Sequence, residues 1–314
     1  MTLFHDKRKA EAMMQLRHRT YLAKSALAIA SLSLAFSAFA AAPMPPLVKP
    51  ANNEHHVGKV VFVELVTPDI VAAERFYGQL FGWKFLDEQH GKHVYAHAFM
   101  NNRPIAALVQ KPLPANEDKQ SAWLSFLSVT DVDAAEKEAV AHGAKVLHEA
   151  HTLPDRGREA VLADPQGAVF VMLASSSGDP EDAIAEPGEW IWSSLMTSDP
   201  EHSAAFYQSL FDYEVFEQTP GEQSQHLVLA SGNFARVSIN SLPAKGSAHP
   251  HWLNFVHVKD TVAAAQKVES LGGRVLVQPR VDRHGGKIAV VTDPAGAPFG
   301  LMEWTEADSK EVAK

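Results

Sequence analysis

The 314-residue chain repeats itself, and the repeat limits its architecture more than any other feature. Thr67-Pro-Asp69 followed by Phe76-Tyr77-Gly-Gln-Leu-Phe81-Gly-Trp83 returns 130 positions on, as Thr197-Ser-Asp199 followed by Phe206-Tyr207-Gln-Ser-Leu-Phe211-Asp-Tyr213. A second pair, Trp123…Asp131 with Ala163-Asp164-Pro-Gln-Gly167, returns 129 positions on as Trp252…Asp260 with Thr292-Asp293-Pro-Ala-Gly296. Self-similarity at a near-constant offset means two copies of one structural unit. The copies span 59–174 and 188–304. Residues 175–187, opening with Ser175-Ser-Ser-Gly-Asp-Pro-Glu-Asp182, have the composition of a linker.

Each module divides again. Val60–Val66 is an apolar, β-branched run and reads as a strand. Asp69 then caps a helix with Ile70, Ala73, Phe76, Tyr77, Leu80 and Phe81 at helical spacing, and Gly82 ends it. Three short strands follow near 83–87, 93–99 and 104–110. The order restarts at Ala122–Val129, with Asp131 opening a helix that closes at His142-Gly143. In the second module Asp199-Pro200 is a cap followed by proline at the first helical position, and the last helix runs from near Asp260 to Gly272-Gly273. The expectation is an α+β protein of four βαβββ units, two per module.

The residues ahead of the first module read differently. Lys7, Arg8, Lys9, Arg17, Arg19 and Lys24 precede the apolar run Ser25–Phe36, then the small-x-small triplet Ala38-Phe39-Ala40 and a proline-rich spacer. That order is the one expected of a secretory signal peptide over 1–40, with 41–58 as spacer and a periplasmic or secreted destination. Met13 or Met14 would be a more natural start. Removing 1–40 takes six of 28 basic and two of 37 acidic residues, leaving 22 against 35, a net charge of -13. An acidic mature chain argues against nucleic-acid and anionic-membrane partners. With no cysteine, disulfides, thiolate metal sites and a cysteine nucleophile are excluded. Residues 305–314 read as a tail.

Strand, Asp-capped helix with Phe-Tyr-x-x-x-Phe-Gly-Trp, three strands and a later Asp-Pro-x-Gly together resemble the vicinal oxygen chelate superfamily, above all its tandem glyoxalase-like members. That superfamily includes glyoxalase I, extradiol dioxygenases and bleomycin and fosfomycin resistance proteins. The resemblance covers nearly all of 59–304. It implies that two βαβββ units form a curved sheet around a cavity, with helices on the outer face. It also implies where a divalent metal would be held: on the first strand of each unit, seven residues before the capping Asp, and on the last strand of each module. Here those positions are Phe62, Leu124, Trp192, Leu253, Val171 and Gly300. None has a donor atom suited to zinc, nickel or iron. Strand alternation supports the register: Leu65, Leu127, Leu195 and Val256, four residues before each Asp, are all apolar, as a helix-facing layer requires.

By the same alternation the cavity is faced by Val60, Phe62, Glu64 and Val66; Ala122, Leu124, Phe126 and Ser128; Trp190, Trp192, Ser194 and Met196; and His251, Leu253, Phe255 and His257. An apolar concavity with a few polar groups suits a small organic ligand, although these aromatics could equally fill a core. Glu64 is a carboxylate on an apolar strand; burial would raise its pKa and make it a candidate general base. The alternative is an ion pair with Arg103, Arg158 or another cation. His251 and His257 share a face but lie about 20 Å apart along a strand, and His93 and His97 about 13 Å apart, so neither pair can share an ion unaided. Asp155-Arg156-Gly157-Arg158 and Asp282-Arg283-His284-Gly285-Gly286-Lys287 occupy equivalent loops, where a cation such as Arg158 could hold a ligand carboxylate or phosphate.

The sequence therefore supports an exported protein that binds a small organic molecule in an apolar cavity, with no cofactor. Ligand contacts are expected from Phe62, Leu124, Phe126, Trp190, Trp192, Ser194, His251, His257 and Arg158. The alternative is a glyoxalase-type lyase or isomerase using Glu64 as base or a divalent metal at an unconventional site. The modules pair within the chain or through a homodimer; a third reading has one module binding while the other completes the scaffold.

Overall fold

A computed structural model describes residues 44–90, 93–111, 121–217, 226–242, 249–282 and 286–304. The expected signal peptide, the tail and the 283–285 part of the second cationic loop lie outside them. Four βαβββ units follow in order. The first is β1 (Val60–Thr67), α1 (Ile70–Phe81), β2 (Lys84–His90), β3 (His93–Met100) and β4 (Arg103–Gln110). The second is β5 (Ala122–Ser128), α2 (Val132–Ala141), β6 (Lys145–Leu153), β7 (Gly157–Ala163) and β8 (Val169–Ser175). The third is β9 (Trp190–Thr197), α3 (Pro200–Phe211), β10 (Glu214–Glu217), β11 (His226–Ser231) and β12 (Phe234–Ser241). The fourth is β13 (His251–His257), α4 (Thr261–Ser270), β14 (Arg274–Val281), β15 (Lys287–Thr292) and β16 (Pro298–Met302).

The four capping aspartates do what their positions in the sequence imply. Asp69, Asp131, Asp199 and Asp260 each accept from a backbone N–H in the first helical turn, Ala72, Ala134, His202 and Ala263 respectively. Gly82 ends α1 in the left-handed conformation at φ 81°, where Asp212 performs the same turn after α3 at φ 52°. No helix among the described residues is long and apolar enough to cross a membrane.

Each module is one open eight-stranded sheet, ordered β2-β3-β4-β1-β5-β8-β7-β6 and β10-β11-β12-β9-β13-β16-β15-β14. The first strands of paired units run antiparallel at the centre, with Glu64 opposite Leu124 and Ser194 opposite Leu253. The last strand of each unit joins beside them in parallel. One face of each sheet carries the helices. Leu65, Leu127, Leu195 and Val256 all lie in the helix-side cores, as alternation requires.

Those cores are shared between modules. One joins Val63, Leu65, Phe76, Tyr77 and Trp123 of the first module to Val256, Val268, Val291 and Phe299 of the second. The other joins Leu127, Val132, Leu162 and Phe170 to Leu195, Phe206, Tyr207 and Trp252. The helices thus lie on the convex faces, packed into the seam where the two sheets back onto each other. Two polar relays cross this seam. Trp123 Nε1 donates to the Tyr77 hydroxyl at 3.1 Å, and Tyr77 to Asp293 at 3.3 Å. Trp252 Nε1 donates to Tyr207 at 3.3 Å, and Tyr207 to Asp164 at 3.0 Å. At the centre, Ser125 and Ser193 both donate to Asn254 Oδ1, at 3.1 and 2.7 Å.

The stretch ahead of β1 is bound to the linker rather than free. Asn52 N–H donates to the Ser177 carbonyl at 3.0 Å, Asp179 N–H to the Glu54 carbonyl at 2.8 Å, and His56 N–H to the Asp179 carboxylate at 2.7 Å. Lys59 and Arg236 then converge on Asp182, at 2.9 and 2.6 Å, joining linker and second module.

Candidate functional site

The face of the first sheet opposite the helices curves over a separate buried cluster, the first cup. Phe62 and Glu64 on β1, Leu124 and Phe126 on β5, Tyr95 and His97 on β3, and Glu159 on β7 are all buried, and none belongs to the helix-side cores. Strand register sets their order: His97 pairs with Ala107, Ala107 with Glu64, and Glu64 with Leu124. Phe62 and Phe126 pack edge to face at 5.6 Å between centroids. The alternation read from the sequence therefore places Phe62, Glu64, Leu124 and Phe126 together.

It misplaces others. A bulge interrupts β1 pairing between Val60 and Phe62, and another interrupts β9 pairing between Trp190 and Trp192. The extra residue reverses the strand's alternation, so Val60 and Trp190 pack against the helix-side core. Trp190 lies 5.0 Å from Trp123 and 5.6 Å from Trp83, ring to ring, and is no part of a cup. Arg158 is also turned away from the cup: it forms a bidentate pair with Asp133 in the first turn of α2, at 2.7 and 2.6 Å. Arg103 pairs with Glu189. Neither cation neutralises Glu64.

The cation that enters the cup is Arg156, two residues before Arg158 in the loop Asp155-Arg156-Gly157-Arg158. Asp155 at φ 62° and Gly157 at φ 126° fold that loop back on itself. A side chain on Gly157 would meet the Ala174 carbonyl at 2.1 Å. Arg156 is wholly buried, with its guanidinium carbon 4.1 Å above the Phe62 ring. None of its three guanidinium nitrogens has a hydrogen-bond partner, and neither have the carboxylate oxygens of Glu64 and Glu159. Buried polar groups are nearly always paired, so three such side chains close together mark this face as the candidate site.

Their electrostatics are coupled. Burial, with the neighbouring Glu159 adding to it, pushes the Glu64 carboxyl well above its ordinary range against the pull of Arg156. Burial raises Glu159 to about 7, again opposed by Arg156. Burial lowers Arg156 to about 10 although both carboxylates favour its charge. Tyr95 rises to about 12 through burial and the nearby Glu64. His97 is lowered chiefly by burial, with Glu88 opposing at 3.7 Å. His151 on β6 is lowered chiefly by burial and stands 3.6 Å from Glu159. The Glu159 signal was present in the sequence, as a carboxylate opening the apolar strand Ala160–Ala163, but only the strand's register shows which face it takes.

The second cup holds hydroxyls, an amide and the imidazole of His226, whose Nδ1 contacts Asn240 Oδ1 at 2.5 Å. Ser194 and Ser238 share a hydrogen bond at 2.7 Å, Trp192 Nε1 donates to Ser238 at 3.0 Å, and Asn240 donates to it at 3.3 Å. His251 and His257 are not brought together. The Nδ1 of His251 contacts the His249 carbonyl at 2.7 Å, and that of His257 the Ala185 carbonyl at 2.6 Å.

The donor set does not fit the divalent ion implied by the family. Phe62, Leu124, Trp192, Leu253 and Val171 offer no ligand atom, and the sixth position, Gly300, has no side chain at all. A Cβ on Gly300 would lie 2.0 Å from Phe255 Cδ1, so the Phe255 ring fills the space a last-strand ligand would need. Among the described residues no group of three or more His, Asp or Glu side chains could hold a metal ion.

Comparison with known proteins agrees with this architecture. The model of the Glyoxalase/Bleomycin resistance protein/Dioxygenase superfamily matches residues 55–172 and 191–301. A Mycobacterium tuberculosis protein named "Putative glyoxylase CFP32" is 30% identical over 256 residues, covering 81% of this chain and 98% of the relative. The anthracycline biosynthesis protein DauV of Streptomyces sp. strain C5 is 26% identical over 262 residues, covering 80% and 94%. Among solved structures, the Mn(II)-bound glyoxalase of Novosphingobium aromaticivorans superimposes with a TM-score of 0.58 at 17% identity, covering 79% of this chain and 83% of that one. The 2,3-dioxygenase LapB of Pseudomonas sp. KL28 gives 0.57 at 12% identity, covering 79% and 93%. Both likenesses concern the fold. With two matched segments that together span most of its length, the chain belongs to the Glyoxalase/Bleomycin resistance protein/Dioxygenase superfamily.

Proposed function

We propose that this is an exported tandem glyoxalase-like protein that binds a small organic molecule in the cup of its first module, without the family's standard metal ion. The observation that carries the reading is the set of buried groups without hydrogen-bond partners, Glu64, Arg156 and Glu159, beside the apolar wall of Phe62, Leu124 and Phe126. Apolar walls with a few convergent polar groups are the usual make-up of small-molecule sites. The second module serves as scaffold: the Ser194, Ser238 and Asn240 side chains in its cup bond one another. The name of the DauV relative, a protein of anthracycline biosynthesis, fits a family branch that handles organic metabolites. Export to the periplasm or medium rests on the basic, apolar and small-residue order of the leader.

The test is a melting-temperature screen of the purified protein against small metabolites and antibiotics. A compound that stabilises the wild type, loses its effect on Glu64→Gln and keeps it on Ser194→Ala supports the reading. Absence of any stabilising compound, or stoichiometric zinc, nickel, manganese or iron retained through dialysis, overturns it.

A second reading has its own support. Glu159, held near 7 in a buried site beside Glu64, is matched to proton transfer at neutral pH, which suits a lyase or isomerase acting beside a carbonyl. Turnover of a hemithioacetal, abolished by Glu64→Gln or Glu159→Gln with the fold retained, would establish it.

A further inference from the structure

We propose that Arg156 is the anion anchor of the first cup, a fixed guanidinium doing the work of the missing ion, and that the ligand is a small monocarboxylate with an apolar flank. The inference rests on the reading of this cup as the binding site and names the chemistry of its occupant.

Three observations converge on Arg156. It is wholly buried, all three of its nitrogens lack partners, and its guanidinium lies over Phe62, the side chain at the first-strand ligand position of the family. Buried N–H groups without acceptors are costly, and an anion that accepts from them completes a site of this kind. Glu64 and Glu159 attract it through space, yet neither carboxylate makes a hydrogen bond to it. The planar fork therefore keeps unused N–H donors, which a carboxylate can engage through two parallel N–H···O bonds.

The surroundings narrow the class. A dianion such as phosphate would face two acidic side chains with a single cation to hold it, whereas a monocarboxylate needs only the fork. The apolar part of the wall is Phe62, Phe126, Leu124 and Val171, which offers contact area. An aromatic or branched aliphatic flank fits there. Burial pushes the Glu64 carboxyl well above its ordinary range, and in its protonated form it can donate to a ligand oxygen. The second cup has Ser194 where the first has Glu64, and that serine is already occupied by Ser238.

The probes are benzoate, pyruvate and isobutyrate, with benzamide as the neutral isostere of benzoate and inorganic phosphate as the dianion. Isothermal titration should show the carboxylates binding the wild type, and benzamide and phosphate at least about tenfold more weakly, the scale of a charge-assisted bidentate contact. Arg156→Gln should lose that preference, while Arg158→Gln, which alters only an exposed pair, should keep it. Equal binding of benzoate and benzamide, or an unchanged preference in Arg156→Gln, overturns the anchor while leaving the cup as the site. The same holds if neutral compounds from the wider screen bind in a Glu64-dependent way and no carboxylate does. If Arg156→Gln fails to fold, the benzoate–benzamide comparison on the wild type decides alone.

Discussion

The Tyr77 hydroxyl donates to Asp293, 216 positions further along the chain, and accepts from Trp123 on the neighbouring unit. Tyr207, Asp164 and Trp252 repeat the arrangement with the modules exchanged. The Phe-Tyr and Asp-Pro-x-Gly motifs that revealed the repeat are thus the two halves of one cross-module contact. Each Asp also accepts from the backbone of its own turn, at Ala297 and Ala168, so the contact ties a loop and a helix together. Burial pushes Asp293 up to about 6, with Tyr77 pulling it back.

Tyr77→Phe leaves an indole N–H and a buried carboxylate each short of a partner. The loss should be about 1–3 kcal/mol in urea unfolding followed by tryptophan fluorescence. Tyr207→Phe should cost a similar amount, and the two should add because the relays occupy separate cores. A change in stability indistinguishable from zero in both variants would mean that the relays carry no weight.

Because each core draws on both modules, residues 44–186 expressed alone should lack a closed core. The fragment is expected to show weak near-ultraviolet dichroism, a non-cooperative melt, or self-association that covers the bare helix face. A folded monomer in sedimentation, unfolding in one sharp transition, would contradict this.

Glu159 should give the stability profile a downward slope. Its folded value of about 7 lies above the 4.5 ordinary for glutamate, so between those pH values the folded chain holds a proton that the unfolded chain has released. Its contribution is fully present below about pH 4.5 and is lost as pH rises through about 7, on the order of 3 kcal/mol. Unfolding free energies of wild type and Glu159→Gln at pH 5 and 8 test the point. The wild type should lose more over that interval than the variant; parallel profiles would remove Glu159 as the cause.

Gly300→Ala places a methyl group against the Phe255 ring, with the nearest ring carbon 2.0 Å from the ideal Cβ. Overpacking of this kind costs about 1–3 kcal/mol. Phe255→Leu in the same chain should restore part of it, since the clash is with ring atoms. Full stability of Gly300→Ala by calorimetry would show that Phe255 moves aside freely and that the last-strand position is less blocked than its packing indicates.

Most of the fold was legible because repeat, capping aspartates and alternation agree with one another. Leu65, Leu127, Leu195 and Val256 could be assigned to the helix face from spacing alone, and Phe62, Glu64, Leu124 and Phe126 follow from them. Val60 and Trp190 could not, because one extra residue in each strand reverses the alternation and no residue type marks it. The choice between Arg156 and Arg158 turned on a loop whose direction depends on Asp155 and Gly157 at positive φ. Sequence spacing names two arginines there; only the backbone shows that the first goes inward and the second outward to Asp133.

The shared seam has a consequence for how the two halves can differ. Stability resides on the faces that meet, and the cups open on the opposite faces, so a residue facing a cup can change charge or size with little strain passed to the other half. A fused pair of this kind can hold one hollow as reactive as its chemistry demands while its twin stays inert and keeps the frame rigid.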